Sequence, residues 1–210
     1  MFSSSLLWLC NLIVAGIVCI YGFWTSVRPM TPLFYKIIVY AFGSYFLSMM
    51  YSLLFLSIVG DQSGFHVGYM GYAGTFFFLF SSYFGALDRL ADDKKSANTK
   101  YRVLSLIPAL LIFIMAGDVF KMVMLIPVAG TAYFACKHLT LPDVEMGIIR
   151  VLRPYNIVVL LFCLVQPFTI TFIMGSLSEG IVYQLAVLFN LIFIAVALPQ
   201  AFKGVQKWFI

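Results

Sequence analysis

Formal charge is scarce in this sequence. Only 10% of its 210 residues are Asp, Glu, Lys or Arg, against 63% that are hydrophobic, and the mean hydropathy is +1.02. A soluble domain usually carries about 25% charge, so one water-solvated core is excluded and lipid must be the solvent. The charge that exists avoids the middle of every long apolar run. That removes the usual carriers of proton relays, buried ion pairs and voltage sensing. A retinal-type photoreceptor needs a lysine near the middle of the last run, and Val187, Leu188, Phe189 and Asn190 occupy that depth. Histidine is nearly missing: His66 and His138 are the only two. Metal-dependent hydrolysis inside a membrane needs several His and Asp ligands at one depth, so no catalytic residue, metal or cofactor is expected. An intramembrane lipid-modifying enzyme is therefore the weakest function class.

Cysteine is equally sparing. Cys10, Cys19, Cys136 and Cys163 lie in or at the edges of apolar runs, with no pair in an outer loop and no metal-binding spacing. They read as small apolar packing residues. No interval outside the apolar runs exceeds roughly twenty residues, which leaves no room for a second, soluble domain.

What is present is a series of seven apolar runs, at about 6–24, 33–59, 66–87, 102–117, 120–136, 155–174 and 181–200. The first opens on Met-Phe-Ser-Ser-Ser, without a basic residue and without a small-x-small cleavage site after it, so it reads as an uncleaved helix. The fourth and fifth are short. The apolar parts of Val103 to Ala116 and Met122 to Cys136 reach about 22 Å at about 1.5 Å per residue, against a hydrocarbon core of about 30 Å. Gly117-Asp118 supplies a tight turn between them.

Charge arbitrates between six and seven spans. Seven spans put Arg28, Lys36, Arg89, Lys94, Lys95, Lys100, Arg102, Lys137, Arg150, Arg153, Lys203 and Lys207 on one side, with only Lys121 opposite. Fusing the fourth and fifth runs would push Lys137, Arg150 and Arg153 across. Basic residues are retained in the cytoplasm, so the N-terminus is expected outside and the C-terminus inside. Twelve basic residues against Asp88, Asp92, Asp93, Asp143 and Glu145 leave the inner side at +7; Asp61, Asp118 and Glu179 against Lys121 leave the outer side at −2. A basic inner face suits anionic headgroups and calls for no nucleic acid. The fold class expected is an all-α, multi-pass protein of a cell membrane, inner or plasma, forming a single seven-helix domain.

The third run organises the rest. On a helix, Gly64, Gly68, Gly71, Thr75, Phe78, Ser82 and Ala86 share one side. Nearly all are small, and a bare edge of this kind permits close helix approach in a membrane. There is also a weak internal echo. Tyr21…Pro32…Ile37-Ile38…Gly60…Tyr69 can be laid against Tyr133…Pro142…Ile148-Ile149…Gly175…Tyr183, with gaps. It describes two parallel three-helix halves joined by the short fourth span, a 3+1+3 bundle. That layout is similar to the sugar-facilitator and PQ-loop transporters, and it implies a site near mid-membrane where the halves meet. The likeness is one of layout, since the only Pro-Gln pair, Pro199-Gln200, closes the last span; it assigns no family.

Neutral polar groups are the remaining candidates for chemistry. Ser44 and Ser48 lie on the second run, Thr75 on the third, Gln166 beside Pro167 on the sixth, and Asn190 on the seventh. All five fall within about a turn of mid-span depth. They can line a pocket for a small neutral or zwitterionic solute, or serve as interhelical hydrogen bonds. Gln166 and Asn190 lead, because a buried amide needs several partners. On the outer turns Asp61, His66, Asp118 and Glu179 can mark an entrance or be solvated loop charges. On the inner side Asp88, Arg89, Arg150 and Arg153 are candidates for headgroup or partner contact. Two function classes follow: a small-solute carrier or ligand-binding bundle, and a receptor or membrane-complex subunit that works through a separate cytoplasmic or membrane partner.

Overall fold

The computed structural model describes residues 4–59, 67–87, 99–117, 119–140, 147–173 and 181–209. Seven long helices occur among the described residues: α1 Ser4–Ser26, α2 Leu33–Val59, α3 Val67–Ser82, α4 Thr99–Ala116, α5 Val119–Thr140, α6 Arg153–Ile173 and α7 Ile181–Phe209. α3 runs on as a π-helical turn, Tyr83–Leu87, and a five-residue helix, Gly147–Val151, precedes α6. No strand occurs among the described residues. Among the described residues, five helices are long and apolar enough to cross a membrane: Leu6–Ser26, Leu33–Val59, Val119–Thr140, Arg153–Ile170 and Gln184–Lys207. The protein is thus a multi-pass membrane protein in contact with lipid. Of the other two, α3 has only 16 residues before its π turn, and α4 carries Lys100 and Arg102 in its first turn.

The helix ends follow local chemistry. α1 stops where Thr25 and Ser26 bond back to the carbonyls of Tyr21, Gly22 and Phe23, and Pro29 follows. Thr31 caps that turn by donating to the Arg28 carbonyl at 2.6 Å, and Met30 takes a left-handed backbone (φ 68°). Gly117, at φ 78°, makes the α4–α5 turn as its sequence foretold, because only glycine takes that conformation without cost. The C-terminus departs from the sequence reading. α7 does not stop at Pro199 but continues to Phe209. A proline costs a helix one hydrogen bond; here the burial of Ala201, Phe202 and Val205 holds the next turns in place. Pro108, Pro127 and Pro167 likewise sit inside continuous helices.

Packing order gives the architecture. α1 lies against α2, α2 against α3, and α3 against α5; α5 packs on α6, α6 on α7, and α7 returns to α1. α4 leans on α5 and α6 from outside this ring. The directions can be read from paired residues. Gly16 faces Phe46 and Gly22 faces Val39, so α1 and α2 are antiparallel. Thr131 bonds the Phe76 carbonyl while His138 meets Tyr83, so α3 and α5 run parallel. Gly22 faces Leu198, whereas Asn11 shares a cavity with Asn190, so α1 and α7 run parallel too.

The outside is more uniformly apolar than the inside. Ile17, Ile20, Trp24, Phe77, Ile107 and Ile114 are exposed, as lipid-facing side chains should be. Tyr35, Tyr45, Tyr69, Tyr72, Tyr83 and Tyr155 are at most 1% exposed. The centre is therefore aromatic and hydroxyl-bearing.

Candidate polar centre of the bundle

Polar side chains from four helices meet in the middle of the bundle. Gln166 of α6 donates from Nε2 to the carbonyl of Phe162, one turn back on its own helix, at 2.7 Å. A carbonyl only accepts, so this contact fixes which end of the amide is nitrogen. The same Nε2 donates to Asn190 Oδ1 of α7 at 2.8 Å. Asn190 must then present Nδ2 on its other side, and it donates to the Tyr45 hydroxyl of α2 at 2.6 Å. Gln166 Oε1 accepts from the Tyr72 hydroxyl of α3 at 2.5 Å. The result is a chain, Tyr72–Gln166–Asn190–Tyr45, whose donor and acceptor directions follow from the Phe162 carbonyl.

Aromatic rings surround this chain. Phe162 stacks on Phe76 at 5.2 Å and meets Tyr45 edge-on at 6.4 Å, while Tyr72 lies 5.4 Å from Phe76. Gln166 and Asn190 are 0% and 1% exposed. Hydrogen bonds in so apolar a setting are electrostatically stronger than in water, and an unmade one costs more. No carboxylate, imidazole or amine belongs to the chain, so what it offers at neutral pH is hydrogen bonding. No group of three or more His, Cys, Asp or Glu able to hold a metal occurs among the described residues.

Beside the chain lies a small cavity lined by Trp8 and Asn11 of α1, Tyr45 and Met49 of α2, Thr169 of α6, and Val187 and Asn190 of α7. Only about 10 Å³ of it admits the centre of a water-sized sphere.

The remaining sequence candidates are placed elsewhere. Ser48 donates to the Gly68 carbonyl at 2.6 Å and Ser44 to the Gly71 carbonyl at 2.9 Å, so both hydroxyls belong to the α2–α3 seam. Thr75 donates to the same Gly71 carbonyl, on its own helix, at 3.0 Å. The small edge of α3 is where the two backbones come closest. A Cβ added at Gly71 would lie 2.9 Å from Ser48 Cβ and 3.1 Å from Ser48 Cα. Ser82 is buried and bonds back to the Leu79 carbonyl, while Phe78, on the same edge, is exposed. Gly64, Asp61, His66, Asp88, Arg89, Asp118 and Glu179 lie outside the described residues. Arg150 is exposed and Arg153 half-buried. Nearby, a groove of about 280 Å³ is lined by Val151, Pro154, Gln200, Lys203, Gly204, Gln206 and Lys207.

Sequence reasoning missed the tyrosines. Tyr45 and Tyr72 complete the amide pair, and nothing local marks them out from Tyr40, which is 53% exposed. It also missed a second buried cluster, reached through the π turn of α3. Tyr83 donates to Asn156 Oδ1 at 2.8 Å and packs against Phe134, His138 and Tyr155. A π turn inside an α-helix often marks a functional position, but assigning one from sequence needs a register that an all-apolar run does not provide. No family model, no curated protein and no solved structure matches the chain.

Proposed function

We propose that the chain crosses the bilayer seven times, N-terminus outside and C-terminus inside, and works as a small-solute carrier or ligand-binding bundle centred on the Tyr72–Gln166–Asn190–Tyr45 chain. The alternating helix directions support the odd number of crossings. Arg28, Lys100, Arg102, Lys137, Arg153 and Lys207 gather at one end of the bundle, with Lys121 at the other, which supports the orientation.

One observation carries the functional reading. The two tyrosines come from α2 and α3, and the two amides from α6 and α7. The hydrogen-bonded chain therefore spans the seam between an N-terminal and a C-terminal group of three helices. The groups pack alike: the first helix of each lies on its own second, and against the third of the other. This arrangement favours the 3+1+3 reading, in which a carrier's site sits between halves at mid-depth. A neutral solute with hydroxyl or amide groups can exchange bonds with the chain, parting the halves on one side.

The second reading is a receptor or a subunit of a membrane complex. It is favoured by the closed centre: both donors of Gln166 are engaged, and the adjoining cavity is too small for a solute. The test is an uptake screen in proteoliposomes over small neutral and zwitterionic solutes, comparing wild type with Gln166→Leu and Asn190→Leu. A carrier gives uptake that both variants lose while still inserting and folding. No uptake of any solute, together with co-purification of a stoichiometric membrane or cytoplasmic partner, selects the second reading. A C-terminal reporter found outside the cell removes the proposed orientation.

A further inference from the structure

We infer that the groove where α7 ends beside the start of α6 seats the phosphate of one anionic phospholipid, with an acyl chain of that lipid on the α6–α7 surface next to it. The inference needs only a bilayer around the bundle, and it stands whether or not the bundle carries a solute. It begins with the last turns of α7. Ala201, Phe202 and Val205 are buried against the bundle, while Lys203, Gln206 and Lys207 are exposed. Lys203 and Lys207 are four residues apart, so they rise from one face of the helix, and Gln200 lies on the same stripe a turn earlier. Lysines and glutamines together line one side of the groove of about 280 Å³, with Val151 and Pro154 on the other. No acidic side chain lines it among the described residues.

Gly204 brings the two sides together. A Cβ there would lie 2.5 Å from Leu152 Cδ2 and 3.6 Å from the Val151 carbonyl oxygen, so the missing side chain lets α7 lie close against the turn before α6. Two cations facing an acid-free notch attract an anion, and the room suits a headgroup better than a larger organic ligand. Basic pockets between helix ends at the membrane surface take phosphate-bearing headgroups. What selects a lipid over a free anion or an acidic protein is the surface that runs on from the groove. On α6, Pro154, Ile157 and Leu161 follow at steps of three and four residues, and all are exposed. On α7, Ile192 and Phe189 continue the stripe of Lys203 and Gln200 and are 44% and 48% exposed. Lys203 to Ile192 covers about 16 Å at about 1.5 Å per residue, close to one leaflet's share of a hydrocarbon core of about 30 Å. A phosphate held at Lys203 and Lys207 thus lays its own acyl chain on an apolar lane along two packed helices.

Native mass spectrometry of the intact protein, in detergent with equal amounts of dioleoyl phosphatidylglycerol and dioleoyl phosphatidylcholine, is the test. Wild type should retain one phosphatidylglycerol in preference to phosphatidylcholine. Lys203→Gln with Lys207→Gln should cut that preference about tenfold, and Lys203→Arg with Lys207→Arg should keep it. Lys36→Gln with Lys100→Gln removes the same charge from exposed positions at the same end of the bundle, and should leave the preference as it is. An equal loss in the two Gln pairs means diffuse surface charge and overturns the inference. So does a wild type without preference, or one that instead holds an acidic protein released by the Lys203 and Lys207 substitutions. Thermal unfolding separates a lipid from a free anion. Phosphatidylglycerol should raise the Tm of wild type and not of the Lys203→Gln, Lys207→Gln pair; an equal rise with inorganic phosphate at the same concentration overturns the lipid assignment.

Discussion

The α2–α3 seam and the polar chain across the two helix groups are built on opposite principles. At the seam, glycine lets two backbones approach, and Ser44 and Ser48 donate to carbonyls that are already part of a helix. Losing such a bond strands nothing, since each carbonyl keeps its helical partner. In the polar chain every bond but one joins two side chains on different helices, so removing any member leaves another buried and unmet. The seam should therefore be sensitive to bulk and indifferent to polarity. The chain should show the reverse.

The largest effect should come from bulk at the seam. Gly71→Val forces a branched side chain against Ser48 backbone and should cost about 3 kcal/mol or more, abolishing monodisperse protein in detergent. If Gly71→Val unfolds no more easily than Gly85→Val, where no atom lies within 4 Å of the added Cβ, the close approach is not what holds α2 to α3. Next comes Gln166→Leu, which strands the Tyr72 hydroxyl and Asn190 Oδ1 and should destabilise by about 2 kcal/mol in denaturant unfolding. Its isosteric partner test is a double-mutant cycle of Gln166→Leu with Asn190→Leu. The two should couple by about 1 kcal/mol, within the range for membrane side-chain bonds; additive losses would mean that the two amides act separately. Tyr45→Phe keeps the ring and removes only the acceptor for Asn190, so about 1 kcal/mol is expected in the same assay. The smallest effect belongs to Ser48→Ala, below about 0.5 kcal/mol, because the Gly68 carbonyl stays bonded within α3. A loss as large as that of Tyr45→Phe would erase the contrast between the two regions.

The helices themselves were readable because length and apolarity are local properties. α2 occupies 33–59 as its apolar run did, and Gly117 turns where it was expected to turn. Glycine spacing on α3 was legible too, being a backbone matter that any solvent leaves intact, and at Gly71 the Ser48 backbone does come close, though Phe78 on the same side is exposed. Which aromatic residues face inward was not. In water, an inward face announces itself by alternation with polar residues; in lipid, the outward face is as apolar as the inward one. Tyr40 and Tyr45 sit five residues apart on the same helix, one 53% and the other 1% exposed, and only the fold separates them. Gln166 and Asn190 stood out because an amide in an apolar run requires partners, but their partners were hydroxyls hidden among twelve tyrosines. The seventh helix outran its proline for a related reason: the burial of Phe202 and Val205 is a tertiary fact.

One property of the central chain reaches beyond stability. Two of its four links are carboxamides, which pass along a hydrogen bond without ever releasing or accepting a proton at cellular pH. Their direction is pinned by the Phe162 carbonyl, so the row cannot reverse itself by rotating hydroxyls alone. A row of this kind ties helices together without handing a proton along it.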